Sequence, residues 1–243
     1  MIKLFSYITI LGCLILTTGC LQTVKLTPDV TSDWGKVAVI SNAGSKLNFA
    51  YVGTTAFNNS YVTKNLDDTQ VDRRLADDVS KTLRKKGIDA EMKQNLSPIL
   101  FEPKDSKYAL DKVDFNAVKE ELGADSSYTH LIVLSGGSYP PVTYAGDPIG
   151  GSNQTLSGIG LYRRSFLNIK DPPSFYVVAL VRIYDLRTEE AVTARKQLEH
   201  RKTNLESFPK KESEVKEDKA VLFLNQNYDL ILKAFDKATI SLF

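Results

Sequence analysis

The sequence has little of the material from which many catalytic and metal sites are built. It contains two cysteines and two histidines among 243 residues, and both cysteines, Cys13 and Cys20, lie within the first twenty. The rest of the chain therefore has no internal disulfide and no cysteine-rich zinc site. An excess of one charge is missing too, since 31 lysines and arginines face 29 acidic residues. The net charge of +2 gives no reason to expect nucleic acid as a partner.

Long hydrophobic runs are also missing from most of the chain. After residue 20, no stretch approaches the ~18 consecutive apolar residues that a membrane-spanning helix needs. The length and the hydrophobic fraction of 42% are nevertheless typical of one folded domain with a sizeable core. Any prediction of the cellular location of the protein therefore rests on its first twenty residues.

The amino terminus has the pattern of a secretory signal peptide. Lys3 precedes an apolar stretch, Leu4 to Leu16, which is followed by the small residues Thr17 to Gly19 and then by Cys20. A small residue before a cysteine at the end of an apolar stretch resembles the lipobox of bacterial lipoproteins. The resemblance implies cleavage after residue 19, a diacylglyceryl group on the Cys20 sulfur and a third acyl chain, such as palmitate, on the new amino group.

Other interpretations of this segment remain open. Cys13 would leave a shorter apolar stretch, and a plain cleaved signal peptide or an uncleaved anchor would carry no lipid. With Cys20 lipidated, several acyl chains hold the protein stably at a bilayer that it does not span. Leu21 replaces the Asp that resembles an inner-membrane retention signal, which favours the periplasmic face of the outer membrane. Residues 20–34 are predicted to be the lipidated cysteine and a tether, and 35–243 a single domain.

The hydrophobic periodicity predicts an α/β (α+β) fold, a mixed β-sheet with helices packed on it in the order β-β-α-β-α-β-β-β-α. The first two strands are predicted to form a hairpin across Asn42–Gly44. Residues 198–219 are predicted to be a charged, solvated loop or helix start. The predicted strands are 36–41, 46–52, 88–92, 130–135, 175–186 and 191–197, and the predicted helices are 70–86, 115–122 and 221–242.

Three fragments carry a resemblance to known families. They are the strand Lys36–Ser41, the amphipathic helix Val71–Leu83 and the hairpin Val178–Thr193, in which Glu189 stands where the family pattern has Gly. Their order resembles the periplasmic domain of the curli-secretion lipoprotein, the amino-terminal domain of the Tol translocation protein and lipoprotein activators of peptidoglycan synthases. Residues 51–57 and 157–164 resemble a group of uncharacterised Gram-negative lipoproteins. These resemblances imply a periplasmic α/β domain.

No catalytic residues are predicted. Gly136–Pro140 and Gly150–Gln154 both lack the final glycine of a Gly-x-Ser-x-Gly nucleophile elbow. A serine–histidine pair would need His130, at the start of a strand, or His200, in the charged segment. Both histidines are better explained as ordinary polar residues at the ends of elements.

No metal or cofactor is predicted either. The aspartates between 67 and 78 lack calcium-loop spacing and are better explained by capping and the helix dipole. The glycines at 136–137, 150–151 and 158–160 lack the lysine and hydroxyl residue of a P-loop and are attributed to loop flexibility.

The segment 136–172 is predicted to be a long loop that either covers a sheet edge or contacts a partner. Loops of this length are uncommon in compact domains and are often functional, and tyrosine and arginine are enriched at interfaces. The candidate partner-binding residues are Tyr139, Tyr144, Tyr162, Arg163 and Arg164.

The predicted function is that of a non-enzymatic binding or assembly module, anchored to the outer membrane, for a cell-envelope partner or for a second copy of the chain. The alternative is a subunit of an oligomeric secretion channel resembling the curli exporter. Its wall strands of about 9–11 residues would come from 142–168, where Asp147, Pro148, Arg163 and Arg164 interrupt the alternation. An envelope hydrolase is the third alternative.

Overall fold

A computed structural model of the chain describes residues 25–53, 59–66, 70–93, 113–123, 127–139, 155–166, 169–170, 172–205 and 208–243. The predicted class, a mixed β-sheet with helices packed on it, is confirmed. In chain order the elements are α1 (Pro28–Thr31), β1 (Lys36–Ser41), β2 (Lys46–Val52), β3 (Ser60–Asn65), α2 (Gln70–Lys85), β4 (Ala90–Met92), α3 (Phe115–Leu122), β5 (Tyr128–Gly136), β6 (Ser138–Tyr139), β7 (Leu156–Ser157), β8 (Ile159–Phe166), β9 (Ile169–Lys170), β10 (Ser174–Asp185), β11 (Glu190–Lys202), a 3₁₀ turn (Glu212–Glu214), α4 (Glu217–Gln226) and α5 (Tyr228–Ile240).

A sheet of nine strands organises the described part of the chain. Its order is β3-β2-β8-β10-β5-β1-β4, with β11 beside β10 and β9 beside β8. β4, β1 and β5 are mutually parallel, and so are β2 and β8, whereas β10 runs antiparallel to both β5 and β8. The strands β6 and β7 form a separate antiparallel pair.

The hairpin of β10 and β11 is the longest feature of the sheet and confirms the hairpin predicted from the sequence. The 12 residues of β10 pair with β11 along their whole length. Glu189, in the turn, has a φ of 59°, a left-handed conformation that glycine adopts at lower cost. Its carboxylate accepts a hydrogen bond from Lys119 of α3 at 2.7 Å, which ties the turn to that helix.

One edge of β10 is shared by two strands that meet end to end. β8 pairs with Ser174–Val177 and β5 with Ala179–Asp185. The two strands approach each other at Gly136 and Gly158, where a Cβ on Gly136 would lie 2.7 Å from the Gly158 Cα. These glycines, attributed to loop flexibility in the sequence, therefore permit close contact between two backbones.

The predicted hairpin of β1 and β2 is wrong. β1 pairs with β5 and β4, whereas β2 pairs with β8 and β3, and the two strands follow one another in the same direction. The Asp72 carboxylate accepts hydrogen bonds from Ser41 Oγ at 2.5 Å and from the Gly44 N–H at 2.9 Å. Asp72 is about 30 positions away in the sequence, yet it stabilises the connection between β1 and β2. This connection shifts the chain sideways without reversing its direction, whereas the local residues predict a reversing turn.

The prediction of a long loop over 136–172 is corrected in its second half. Residues 156–157 and 159–166 form β7 and β8, and β8 is hydrogen-bonded to both β2 and β10. The strand was missed because its glycines and paired arginines break the apolar alternation. Residues 140–154 lie outside the described part of the chain.

Helices cover both faces of the sheet. α2, α4 and α5 pack on one face in the main core, and α3 packs on the other with β1 and β5. The predicted helix at 70–86 matches α2, and the helix predicted at 115–122 has the predicted cap, because the Asp114 carboxylate accepts the Ala117 N–H at 3.1 Å. The residues proposed to cap α2, Asp68 and Thr69, lie outside the described part.

The predicted C-terminal helix is two helices. α4 ends at Gln226 and α5 begins at Tyr228, with Asn227 between them at φ −109° and ψ 16°. The Asn227 side chain donates to the Phe223 carbonyl at 2.8 Å and accepts from Arg201 of β11 at 2.8 Å. The helix is therefore interrupted at a residue that is hydrogen-bonded to the sheet.

The predicted tether, residues 20–34, is corrected in the part that the structure describes. The Leu26 N–H donates to the Leu242 carbonyl at 2.6 Å, and the Leu26 side chain is 2% exposed. Trp34 stacks on His130, with ring centroids 4.0 Å apart. The chain therefore joins the folded domain at residue 26, six positions after Cys20.

Candidate functional site

A cavity of about 680 Å³ lies between α4 and the sheet. This volume falls within the ~300–1,000 Å³ that small-molecule sites occupy. We call it the α4 cavity and define it by the residues that line it. These are Leu47, Phe49, Leu161, Leu205, Phe208, Pro209, Glu214, Val215, Lys216, Lys219, Ala220, Leu222, Phe223 and Gln226.

The floor of the α4 cavity is the surface of two parallel strands. Leu47 and Phe49 of β2 and Leu161 of β8 are buried in the main core. They alternate with residues such as Ala50 and Tyr162, which belong to a cluster on the opposite face. The register Phe49↔Leu161 places their apolar side chains next to each other across the strand pair. The alternation of β2, visible in the sequence, therefore produces a continuous apolar floor.

Aromatic contacts fix the walls. Phe208 packs edge-on against Phe49, with centroids 6.1 Å apart, and Phe223 of α4 packs edge-on against Phe175 of β10 at 5.3 Å. Such pairs contribute about 0.5–1.5 kcal/mol beyond the area that they bury. Lys210 lies over the Tyr51 ring at 4.9 Å and secures the loop that carries Phe208. The cavity is thus supported on both sides by side chains that are themselves packed.

Three charged residues of the described part of the chain, Glu214, Lys216 and Lys219, belong to the lining, and all three are exposed at the solvent side. The Glu214 carboxylate accepts the Lys210 N–H at 2.8 Å. Neither lysine ammonium forms an ion pair or a side-chain hydrogen bond within the described residues. Leu222 is 56% exposed beside them. The mouth of the cavity therefore combines an exposed apolar side chain with two cations.

The α4 cavity is not predicted from the sequence. Residues 198–219 are predicted to be a charged, solvated segment, yet Leu205, Phe208 and Val215 turn inward and pack against the main core. The available signal was the recurrence of single large apolar residues within an otherwise charged stretch. That signal is weak because it has neither the period of a helix nor that of a strand.

The predicted partner-binding residues do not form one exposed surface. Tyr162 is 3% exposed and belongs to a buried cluster, against which Tyr139 packs while partly buried. Arg163 and Arg164 are half-buried on opposite faces of β8. Tyr144 lies outside the described part of the chain. The prediction of an exposed aromatic loop is therefore corrected for residues 156–157 and 159–166, which form the strands β7 and β8.

His130 lies in a polar contact network with no open access. Its ring is 1% exposed, with Thr129 Oγ1 2.9 Å from Nδ1 and Asp185 Oδ2 3.6 Å from Nε2. Burial lowers the pKa of His130 to about 4, against the opposing effect of the Asp185 carboxylate. A base so weak and so inaccessible is poorly suited to activate a nucleophile near neutral pH.

His200 is not in a loop, as the sequence indicated, but in β11, where it is exposed.

The described aspartates of the predicted acidic cluster have structural partners. Asp72 holds the β1–β2 connection, Asp77 pairs with Lys81 at 2.6 Å, and Asp78 accepts the Tyr228 hydroxyl at 2.9 Å. Within the described residues, no three histidine, cysteine or acidic side chains converge on a point that suits a metal ion. Asp67 lies outside that part of the chain.

Comparison of the chain with protein-family models and with curated proteins finds no match. Among the helices that the structure describes, none is both long and apolar enough to cross a membrane. The site is therefore interpreted from its own geometry.

Proposed function

We propose that this protein is a lipid-anchored binding module of the bacterial cell envelope, without enzymatic activity of its own. Cys20 carries the acyl chains, the outer membrane holds the protein at its periplasmic face, and the α/β domain binds an envelope component. The signal-peptide pattern of residues 1–20 supports the location. The α4 cavity is the observation that carries the binding role.

The lining of the cavity supports binding over catalysis. Among its described residues the titratable side chains are Glu214, Lys216 and Lys219, all at the solvent side, while the interior is formed mainly by leucine, phenylalanine and valine. A catalytic site needs a nucleophile or base within hydrogen-bond reach of the reacting atom. An apolar interior with charges at its mouth instead suits retention of an apolar group.

The alternative of a secretion-channel subunit has less support. It would take its wall strands from residues 142–168, but β8, which covers 159–166, is already hydrogen-bonded along both edges within the domain. If β8 formed part of a channel wall, its hydrogen bonds to β2 and β10 would first have to break. Residues 159–166 are thus already part of the sheet of this domain.

Mass spectrometry and fractionation of the full-length protein test the anchoring. We expect the mature protein to begin at a triacylated Cys20 and to remain with the outer membrane. A Cys20→Ala variant should move to the soluble fraction or stay uncleaved, whereas Cys13→Ala should behave as the original protein. An unmodified Cys20 in a soluble protein would overturn the anchoring.

Chemical crosslinking in intact cells tests the binding role. We expect an envelope component to be captured and to be lost when the cavity is filled by Ala220→Trp on α4. Asn225→Trp, on the exposed side of the same helix, should retain it. Capture that is indifferent to Ala220→Trp would show that binding, if any, occurs elsewhere on the domain.

A further inference from the structure

We propose, building on the binding role above, that the α4 cavity takes the acyl chain of a long-chain fatty acid and that its carboxylate is bound at the mouth. The interior surface comes from Leu47, Phe49, Leu161, Phe208 and Phe223. A saturated chain has no hydrogen-bonding groups, so it enters such an interior without leaving a polar atom unpaired. Each buried methylene raises the affinity about fourfold.

The charges at the mouth select an anionic head group. Lys216 and Lys219 lie in the lining, and neither ammonium has an acidic partner within the described residues. The neighbouring carboxylate, Glu214, is held by the Lys210 backbone N–H at 2.8 Å. Two unpaired ammonium groups beside one engaged carboxylate favour a negatively charged ligand. Leu222, which is exposed in the same lining, offers an apolar contact to the first methylenes in this arrangement.

An apolar peptide fits the cavity less well than an acyl chain. A peptide segment brings an N–H and a carbonyl group with each residue, and these need partners when buried. The two floor strands have no open edge, since β2 lies between β3 and β8, and β8 lies between β2 and β10. Among the lining residues that the structure describes, Gln226 is the one with an uncharged polar side chain. The backbone of a peptide would therefore stay largely unsatisfied.

The chain enters the described domain at Leu26, at the end opposite the α4 cavity, which disfavours its own proposed lipid anchor as the occupant. Arg201 of β11 holds the start of α5 through Asp229 at 2.8 Å, near α4, whereas Leu26 is bonded to Leu242, beyond the far end of α5. The 13 residues of α5 separate these points by about 20 Å, at ~1.5 Å per residue. A separate fatty acid that enters at the mouth does not have to cross this distance, and it is therefore the proposed occupant.

Photolabelling of the full-length protein in phosphatidylcholine vesicles tests the assignment. The probe is a diazirine analogue of hexadecanoic acid, and labelled peptides are mapped by mass spectrometry. We expect label on residues 205–226, displaced by unlabelled hexadecanoic acid but poorly by hexadecanol, which has the same chain without the charge. Label confined to the segment near Leu26 would indicate contact with the bilayer alone and would overturn the proposal.

Paired variants separate the chain from the head group. Lys216→Glu combined with Lys219→Glu should lower labelling on the order of tenfold, as expected for the loss of two exposed ion pairs, while Lys211→Glu, outside the lining, should not. Ala220→Trp should abolish labelling and Asn225→Trp should not. Equal labelling of the doubly charge-reversed variant, or equal displacement by hexadecanol, would overturn the head-group assignment.

The same samples distinguish this proposal from the function on which it rests. If Cys20 is lipidated and the protein stays in the membrane but the cavity takes no label, the fatty-acid assignment fails alone. If Cys20 is unmodified and the protein is soluble while the cavity is labelled, the anchoring fails alone.

Discussion

The ring of His130 lies between Trp34, Thr129 and Asp185, where the amino-terminal segment meets the sheet. The Gly35 N–H donates to Thr129 Oγ1 at 2.8 Å, which extends this contact to the start of β1. The Asp185 carboxylate is engaged by the Arg187 guanidinium at 2.7 Å, and this lowers the pKa of Asp185 to about 2. His130 is therefore held neutral and packed rather than ion-paired.

Stability should fall as the pH drops from about 6.5 to about 4. Burial lowers the pKa of His130 from 6.5 to about 4, so the unfolded chain binds a proton in this range that the native state excludes. The free energy of unfolding should decrease by up to about 3 kcal/mol across it. Asp185 titrates lower still. Urea unfolding of the original protein and of His130→Gln at several pH values checks this.

The His130→Gln variant should lose that part of the pH dependence. His200→Gln, on the exposed surface of β11, should keep it. An unchanged pH profile in His130→Gln would assign the acid sensitivity to other groups.

A side chain at Gly136 should destabilise the domain. A Cβ there would lie 2.7 Å from the Gly158 Cα, so the backbones of β5 and β8 would have to separate. Gly136→Ala should cost about 2–3 kcal/mol. Gly137→Ala meets only side-chain atoms, at 3.2 Å, and should change stability by less than about 1 kcal/mol. Similar melting temperatures for the two variants would contradict the end-to-end junction.

Among the elements, the break between α4 and α5 links stability to the site. Asn227 is buried, and its amide holds both Phe223 of α4 and Arg201 of β11. Because α4 lines the cavity along most of its length, the break sets the position of Phe223 over the floor. If α4 and α5 formed one continuous helix, Phe223 would not keep this position over the floor of the cavity.

Asn227→Ala should destabilise the domain by about 1–3 kcal/mol, since it removes the two hydrogen bonds that join this buried side chain to α4 and to β11. It should also weaken fatty-acid labelling of the cavity. Asn225→Ala, exposed on the same helix, is the matched control and should change neither. Unfolding curves together with labelling yields make the comparison, and a variant with full stability would show that Asn227 does not hold the break.

Local patterns predicted the helices better than the strand pairings. The repeats at Val71, Leu75 and Val79 gave α2, and Asp114 gave the start of α3, because these signals lie within one element. The pairing of β1 with β5 and of β2 with β8 depends on residues about 100 positions away. A turn such as Asn42–Gly44 has the same composition whether it reverses the chain or shifts it sideways.

At the scale of the whole molecule, the long hairpin connects two ends of the described domain. The 12 residues of β10 extend over about 35–40 Å, at ~3.3 Å per residue. Phe175, near its start, packs against Phe223 of the cavity wall, and Asp185, at its end, lies beside His130 and the amino-terminal segment. Anchoring through Cys20 would thus place the membrane and the cavity mouth at different ends of the domain.

Hydrogen exchange should reveal how tightly the segment that begins at Leu26 is joined to the rest of the domain. The Leu26 N–H is bonded to the Leu242 carbonyl and should exchange slowly, in step with the core. The Asp29 amide, at the exposed start of α1, should exchange quickly and serves as the internal control. Fast exchange at Leu26 would mean that residues up to 34 form a free tether, as the sequence alone suggested.

The sequence by itself determined the class of the fold and the amphipathic helices, and it carries the signal-peptide pattern, since each depends on neighbours within one segment. Tertiary structure decided the order of the strands, the burial of Tyr162 and the α4 cavity. The cavity joins Leu47, Phe49 and Leu161 to lining residues between 205 and 226, and these meet only because β2 and β8 pair beneath a helix broken at Asn227. Contacts over such separations leave no periodic trace in the chain.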